Sequence, residues 1–270
     1  MTPANPDAPR ASRLLRGAGR ELAGLLLPAQ CPGCGAWDEV LCPECASLAE
    51  GPPLLAEFAL DSASVLPGPH ANGVGGHAVP IAALGPYDAE LRRIIVSAKH
   101  SRAFGAEGFL ARAGEVLGSV LGEALASGSS REEGEEGRDS EPFWIVPAPP
   151  SWRRRLLGRQ VTPLLASGVA RGIARTSGFD TRVVEAVGTR PGASSQAGRG
   201  ALGRRRERRG TMRARTALPP PGRLVLVDDV LTTGATMREL ARASGGAAAI
   251  AVLARVAPVR YDESHDPRYP

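Results

Sequence analysis

Two groups of side chains in this sequence have types and spacings that could do chemistry. The first lies in Leu224-Val-Leu-Val-Asp228-Asp229-Val-Leu-Thr232-Thr233-Gly234-Ala235-Thr236. An apolar strand is expected to end in two adjacent carboxylates, and a loop of small residues then leads into a helix. At the carboxyl end of a parallel strand, such a loop faces the ligand crevice of an α/β sheet. Free backbone N–H groups at the helix N-terminus, together with three threonine hydroxyls, suit a phosphate. Asp228 and Asp229 can accept hydrogen bonds from sugar hydroxyls, and a phosphate with a vicinal diol is a ribose 5-phosphate group. A merely capped helix with two solvated aspartates would leave consecutive acids after an apolar strand without a packing purpose. A P-loop is excluded, because no Gly-Lys-Ser/Thr ending is present.

The second group is Cys31-Pro-Gly-Cys34, a seven-residue spacer that begins with Gly35, then Cys42-Pro-Glu-Cys45, which holds all four cysteines of the chain. Each C-x-x-C turn can present two thiolates to one ion. The spacer is short enough to fold back as a hairpin and bring both turns into a tetrahedral sulfur site, as structural zinc requires. Two disulfides and a redox dithiol are the competing readings. A cytosolic setting disfavours the first, and no strand of thioredoxin type precedes either pair. A closed site of four cysteines leaves no position for substrate, so its role is expected to be structural. His70 and His77 fall outside the motif and read as loop or surface residues.

The elements that must position these groups follow from periodicity. An amphipathic helix is expected at about 12–27, after a start without order, and residues 46–76 read as a Pro-, Gly- and Ala-rich linker with one short helix. A strand is expected at 77–84, closed by Gly85-Pro86. Asp88 then opens a helix with Leu91, Ile94, Ile95 and Ala98 on one face. A second helix is expected at about 106–126, and an acidic low-complexity insertion, without order, at 127–141. After residue 142 strands and helices alternate. Strands are expected at 143–146, 182–187, 224–227 and 248–254. Helices are expected after Thr162, as N-cap with Pro163 at the first helical position, and at 235–243. Residues 188–223 carry no apolar periodicity. Alternation of this kind indicates a parallel α/β sheet with right-handed crossovers.

The 270 residues carry 33 Lys+Arg against 28 Asp+Glu, a formal charge of +5, and are 43% hydrophobic. That composition is globular rather than fully disordered. No apolar run reaches the roughly 18 residues of a membrane span. Arg10, Arg13, Arg16 and Arg20 before Leu22–Leu27 echo a signal peptide, but Gly24 and Pro28 interrupt it and no small-x-small site follows. Gln30 before Cys31 is not the small residue that lipoprotein processing needs, so a cytoplasmic protein is expected. Lys99 is the sole lysine. The basic run at 153–159 carries +4 and the 188–223 segment +9, which leaves the rest of the chain at −8. With no Phe, Tyr or Trp in 188–223, base stacking on single-stranded nucleic acid is not expected there. Sequence-specific nucleic-acid recognition is not expected either.

The strand–Asp–Asp–loop–helix segment resembles the 5-phosphoribosyl-1-pyrophosphate (PRPP) signature of type I phosphoribosyltransferases at all thirteen positions. More of the chain resembles the ComF family, competence-associated proteins of phosphoribosyltransferase type with an N-terminal zinc module. The resemblance runs through Leu25-Leu-Leu-Pro-Ala-Gln-Cys-Pro-Gly-Cys34, Leu41-Cys-Pro-Glu-Cys45, Tyr87-Asp-Ala-Glu-Leu-Arg-Arg-Ile-Ile-Val-Ser-Ala-Lys99, Val146-Pro-Ala-Pro-Pro-Ser-Trp-Arg153 and Leu253-Ala-Arg255. It covers roughly residues 22–257 apart from the acidic insertion, with Gln196 through Arg215 matching a long loop.

The resemblance implies a type I phosphoribosyltransferase fold, a parallel sheet flanked by helices, with a small N-terminal zinc module of four cysteines. It divides the chain into a disordered N-terminus (1–20), helix plus zinc module (21–50), linker (51–76), phosphoribosyltransferase-like domain (77–257) and tail (258–270). It implies PRPP and Mg²⁺ as ligands, and transfer of the phosphoribosyl group to an unidentified nitrogenous base. Asp228 and Asp229 would hold the ribose hydroxyls and stabilise positive charge at C1. Thr232, Thr233, Gly234, Ala235 and Thr236 would bind the 5-phosphate. Mg²⁺ would be held mainly by ligand oxygens and water. Lys99, Arg153, Arg154 and Arg155 are the candidates for pyrophosphate, and the arginines of 188–223 would close over it and exclude water. Competence or DNA-uptake proteins are the implied partners, and a homodimer is allowed. The family's aromatic/His-Asn/Asp and Arg-x-x-Asn segments stand here as Leu157-Gly-Arg-Gln160 and Arg206-Glu-Arg-Arg209-Gly. These departures favour an alternative, a PRPP- or nucleotide-binding accessory protein without turnover.

Overall fold

The computed structural model describes residues 29–60, 77–100, 106–129, 142–150, 161–190 and 210–256. Among them, six strands form one sheet in the order β1 (Leu54–Leu60), β2 (His77–Pro86), β8 (Ala249–Arg255), β7 (Leu224–Leu231), β3 (Phe143–Pro147), β4 (Thr181–Val183). Only β1 runs antiparallel to its neighbour; every other pairing is parallel. Parallel strands covered on both faces read as continuous apolar runs. Accordingly, Leu224–Val227 and Ala249–Ala254 are wholly buried.

The helices are α1 (Pro43–Ser47), α2 (Ala89–His100), α3 (Ala106–Ser129), α4 (Val161–Ser177) and α5 (Ala235–Ser244). One face of the sheet packs Val225, Val227, Ala249, Ala251, Phe143 and Ile145 against α2, α3 and α4. The opposite face packs Leu224, Leu226, Ile250 and Val252 against Met237, Leu240 and Ala241 of α5, with Phe58 and Leu60 of β1. The buried face of α2 is Leu91, Ile94, Ile95 and Ala98, as its periodicity predicts.

Helices α3 and α4 lie along each other at backbone distance. A methyl group at Gly114, Gly118, Gly168 or Gly172 would run into a main-chain atom of the other helix. At the rim of the contact, Glu115 of α3 accepts from Arg171 of α4 at 2.8 Å. The Arg171 hydrogen bond is the main reason the Glu115 carboxyl is held below its ordinary range, against the opposing effect of burial.

The structure alters several sequence-based expectations. Part of the expected linker forms β1, whose Phe58 and Leu60 are buried while Leu54 and Leu55 stay exposed. The strand expected at 182–187 is two short strands in different sheets: β4, and β5 (Val187–Thr189). The latter pairs antiparallel with β6 (Met212–Ala214), within the segment that shows no periodicity. Thr162 is not an N-cap: it lies inside α4, buried, and its hydroxyl donates to the Ala148 carbonyl at 3.0 Å. Strand β7 runs on to Leu231, so Asp228 and Asp229 belong to the strand. Of the unordered insertion expected at 127–141, residues 127–129 instead continue α3 as its last turn; the rest of it, the helix expected at 12–27 and the tail expected at 258–270 lie outside the described residues.

Gly118→Ala gains about 1 kcal/mol of helix propensity but must displace the Val169 backbone. Overpacking of this kind costs typically about 1–3 kcal/mol or more. Net loss in urea unfolding is expected for Gly118→Ala. Gly108→Ala, at a site of α3 with open space around it, should instead be neutral or stabilising by up to about 1 kcal/mol.

Candidate functional site

The crevice is set by how two neighbouring strands end. β3 and β7 are adjacent and parallel, paired from Trp144↔Leu224 to Pro147↔Val227. The chain leaves β3 for α4 on one face of the sheet and leaves β7 for α5 on the other. Adjacent strands whose connections diverge to opposite faces open a crevice at their carboxyl ends, where α/β proteins bind ligands. Its two banks are Pro147–Pro150 and Asp228–Thr236. Ala148 N–H donates to Val227 O at 2.7 Å, which ties the first bank to the second.

Side chains alternate along β7, so the two acids leave on opposite faces. Asp228 follows Leu224 and Leu226 toward the α5 side, and its Oδ1 accepts the Asp229 backbone N–H at 2.8 Å. Asp229 follows Val225 and Val227 toward α2. There its Oδ2 meets Lys99 Nζ at 2.8 Å, with 17% of the lysine and 12% of the aspartate side chain exposed. The sole lysine of the chain is therefore brought from the last turn of α2 to one of the two acids. Its exposed alternative, a solvated helix end, is not what the fold builds.

After Leu231 the chain turns through Thr232 and Thr233 to Gly234, which caps α5 in the left-handed region (φ 73°). Any side chain there would also meet the Phe58 ring, 2.7 Å from the nearest ring carbon. The Thr233 hydroxyl accepts the Ala235 N–H at 3.4 Å. Arg238 lies over the Phe58 ring at 5.0 Å and donates to the Thr233 carbonyl at 2.9 Å. Phe58 and Arg238 thus hold the loop from beneath. No sequence signal points to either, because Phe58 sits in β1, far from the loop in the chain.

Helix α5 also holds the β5–β6 pair at Met212, the first residue of β6. Glu239, buried, accepts Met212 N–H at 2.8 Å, and Arg242 donates both to Glu239 and to the Met212 carbonyl. Burial opposes ionisation of Glu239, but the bonds from Arg242 and from the Met212 and Gly210 backbone outweigh it and hold its pKa below the ordinary carboxylate range. Of the remaining candidates, Arg153, Arg154 and Arg155 lie outside the described residues, as do residues 191–209.

The cysteine module is built differently from the expected spacer hairpin. The hairpin wraps the first pair: Gln30 bridges Trp37, Cys31 N–H donates to Ala36 O at 2.8 Å, and Gly35 N–H to Cys31 O at 2.8 Å. The second pair sits at the start of α1, with Cys42 as its N-cap and Pro43 at the first position. The four sulfurs lie within 4.8 Å of one another and none is in a disulfide. Cys31 and Cys42 sulfurs are 3.7 Å apart, and Cys34 and Cys42 sulfurs 3.5 Å. Four sulfurs about 2.3 Å from a tetrahedral ion stand about 3.8 Å apart, so the donor set and spacing fit a metal. Burial pushes the Cys45 thiol up, while backbone donors from Cys34, Cys42 and Gly33 overcome burial at Cys31 and bring it down to about 6. Cys42 is raised to about 11; the backbone bond from Cys45 favours its thiolate, but burial and its Cys34 and Glu44 neighbours outweigh that. Among the described residues this is the one cluster of potential metal ligands, and no helix is long and apolar enough to cross a membrane.

No protein-family model matches the chain, and no curated protein matches it.

Because the folded pKa of Glu239 lies below its unfolded value, its contribution to stability is complete above the unfolded value. It is lost as pH falls through the folded one. Glu239→Gln should lower stability at pH 7 by about 1.5–3 kcal/mol, the range for bonds to a charged group. It should also flatten the loss of stability as pH falls below the ordinary carboxylate range, as read by urea midpoints across pH.

Proposed function

We propose that this chain is a phosphoribosyltransferase-like protein of ComF type that takes the magnesium complex of PRPP as substrate. In this reading the α/β sheet is a type I phosphoribosyltransferase fold, and the four cysteines hold a structural zinc ion. One observation carries the reading: Asp228 and Asp229 lie in the second half of β7, just past its last pairing with β3 at Pro147↔Val227, on the strand that leads through Thr232 and Thr233 to the Gly234 turn into α5.

That arrangement would divide the ligand among three parts of the chain. The backbone from Thr232 to Thr236 and the N-terminal end of α5 receive the 5-phosphate. Asp228 and Asp229 accept from the ribose 2′ and 3′ hydroxyls. Their negative charge stabilises the positive charge that develops at C1. The acceptor nitrogen donates its lone pair to C1 as the C1–O bond breaks, and pyrophosphate leaves with that electron pair. The nitrogen's proton passes to solvent. Proline at 147, 149 and 150 limits the backbone donors of the opposite bank, since each proline lacks an N–H. Cationic side chains would then carry pyrophosphate there, and Arg153, Arg154 and Arg155 are the candidates.

Calorimetry with PRPP and Mg²⁺ should show binding to the wild-type chain. Asp228→Asn and Asp229→Asn should each weaken it by about 10- to 150-fold, the equivalent of a hydrogen bond to a charged group. Unchanged affinity in both variants would overturn the assignment. The departures at Leu157–Gln160 and Arg206–Gly210 favour the second reading, a PRPP-binding accessory protein in DNA uptake or regulation. Pyrophosphate release against a panel of bases separates the two, since acceleration by a base supports transfer and a uniform slow rate supports the accessory role.

Metal analysis of reductively purified protein should find about one zinc per chain. Chelation should remove it and make the cysteines reactive to alkylation.

A further inference from the structure

The cysteine module and the acid pair are joined by one helix. Cys31, Cys42 and Cys45 are buried in the same core as Leu91, Ile94, Ile95 and Ala98 of α2. The contact is close at Gly33, in the turn of the first cysteine pair. A methyl there would strike the Cys45 sulfur on one side and come to 3.3 Å from Ile94 Cδ1 on the other. The cysteine turn therefore lies against α2 with no spare volume. The module is also tied to α3, through Glu50 and Arg112 at 3.0 Å. Between elements, α2 meets the sheet chiefly at β8, and the first cysteine turn meets it at Ile94. Five residues beyond Ile94, about 7.5 Å along the helix axis, stands Lys99 with its 2.8 Å contact to Asp229.

We propose that the cysteine module is a positioning device for the ribose-phosphate site. Through Gly33 and Ile94 it seats α2 so that Lys99 meets Asp229, and metal binding at the cysteines is thereby linked to ligand binding at β7. This rests on the reading of Asp229 as a ribose ligand given above. Lys99 is a positioning residue here: it balances the charge of Asp229 and holds its carboxylate in place through Oδ2. A metal ion at the four cysteines stiffens the turn that abuts Ile94. Without the ion, the buried sulfurs must be accommodated as thiols or thiolates packed against one another, and the seat of α2 loosens. Linkage of this kind is reciprocal, so ligand at β7 must also tighten metal binding by the same factor.

The test is a cycle on the full chain, with PRPP and Mg²⁺ as the probe and calorimetric Kd as the readout. Protein is compared zinc-loaded and after zinc removal and return to chelator-free Mg²⁺ buffer. Zinc removal should weaken wild-type binding by about tenfold, within the usual range of coupling between sites. Lys99→Met should weaken the zinc-loaded protein by a similar factor, and zinc removal should then cost less than about twofold more. Lys99→Arg should restore most of the zinc dependence. Amide exchange across 89–100 should rise on zinc removal.

Equal losses on zinc removal in wild type and Lys99→Met, or no loss in wild type, would overturn the proposal. If the zinc-free chain unfolds, the zinc-loaded variants Ile94→Ala, Lys99→Met and their double mutant decide instead. Full zinc content with non-additive Kd changes supports the linkage, and additive changes overturn it. Failure of zinc-loaded wild type to bind PRPP would instead sink the ribose-phosphate reading, and the linkage with it.

Discussion

The site depends on a topological constraint before it depends on any side chain. Right-handed crossovers send a parallel strand's following helix to one face or the other according to the direction in which the sheet is extended. Growth from β3 toward β4 requires α4 on one face, and growth from β7 toward β8 requires α5 on the opposite face. Since β3 and β7 are neighbours, their carboxyl ends part. Asp228, Asp229 and the Gly234 turn lie along one of these banks, and Pro147–Pro150 form the other. The Ala148–Val227 hydrogen bond and the Thr162 hydroxyl on Ala148 keep them in register.

The two faces of the sheet are packed by different means. On the α3/α4 face, glycines on both helices let main chains touch, so two long helices cover the sheet with little side-chain volume between them. Such contacts are rigid, because backbone has no rotamer to yield. On the α5 face a single helix does three tasks. Its start is the Gly234 turn, its middle buries Met237 and Leu240 on the sheet, and Glu239 with Arg242 holds the β5–β6 hairpin. The candidate phosphate loop therefore hangs from a helix anchored at several points, as a preorganised anion site needs.

Local pattern is enough where burial is one-sided and periodic. The stripe of α2, the apolar runs of β7 and β8 and the Gly234 turn are all readable, because period and turn chemistry are properties of a few consecutive residues. It fails where pairing is distant. β1 is marginal as an isolated run and becomes a strand by matching Leu54–Leu60 to His77–Ala83 across the sheet edge. β5 and β6 are three residues each, too short for periodicity, and exist because they pair across more than twenty residues. Thr162 reads as a cap because threonine before proline often is one, yet its hydroxyl is drawn to the carbonyl of Ala148, just past β3.

The sequence by itself determined that strands alternate with helices, that two acids precede a glycine turn, and that four cysteines fall in two close pairs. These are matters of order along the chain. Only the tertiary structure decided that Asp228 and Asp229 face opposite sides of the sheet, and that Lys99, 130 residues away in the chain, ends 2.8 Å from the second acid. It likewise decided that the cysteine turn presses on the helix that carries this lysine. The physical reason is that charge pairing and close packing act through distance in space. That distance is set by which helices the sheet's crossovers lay side by side.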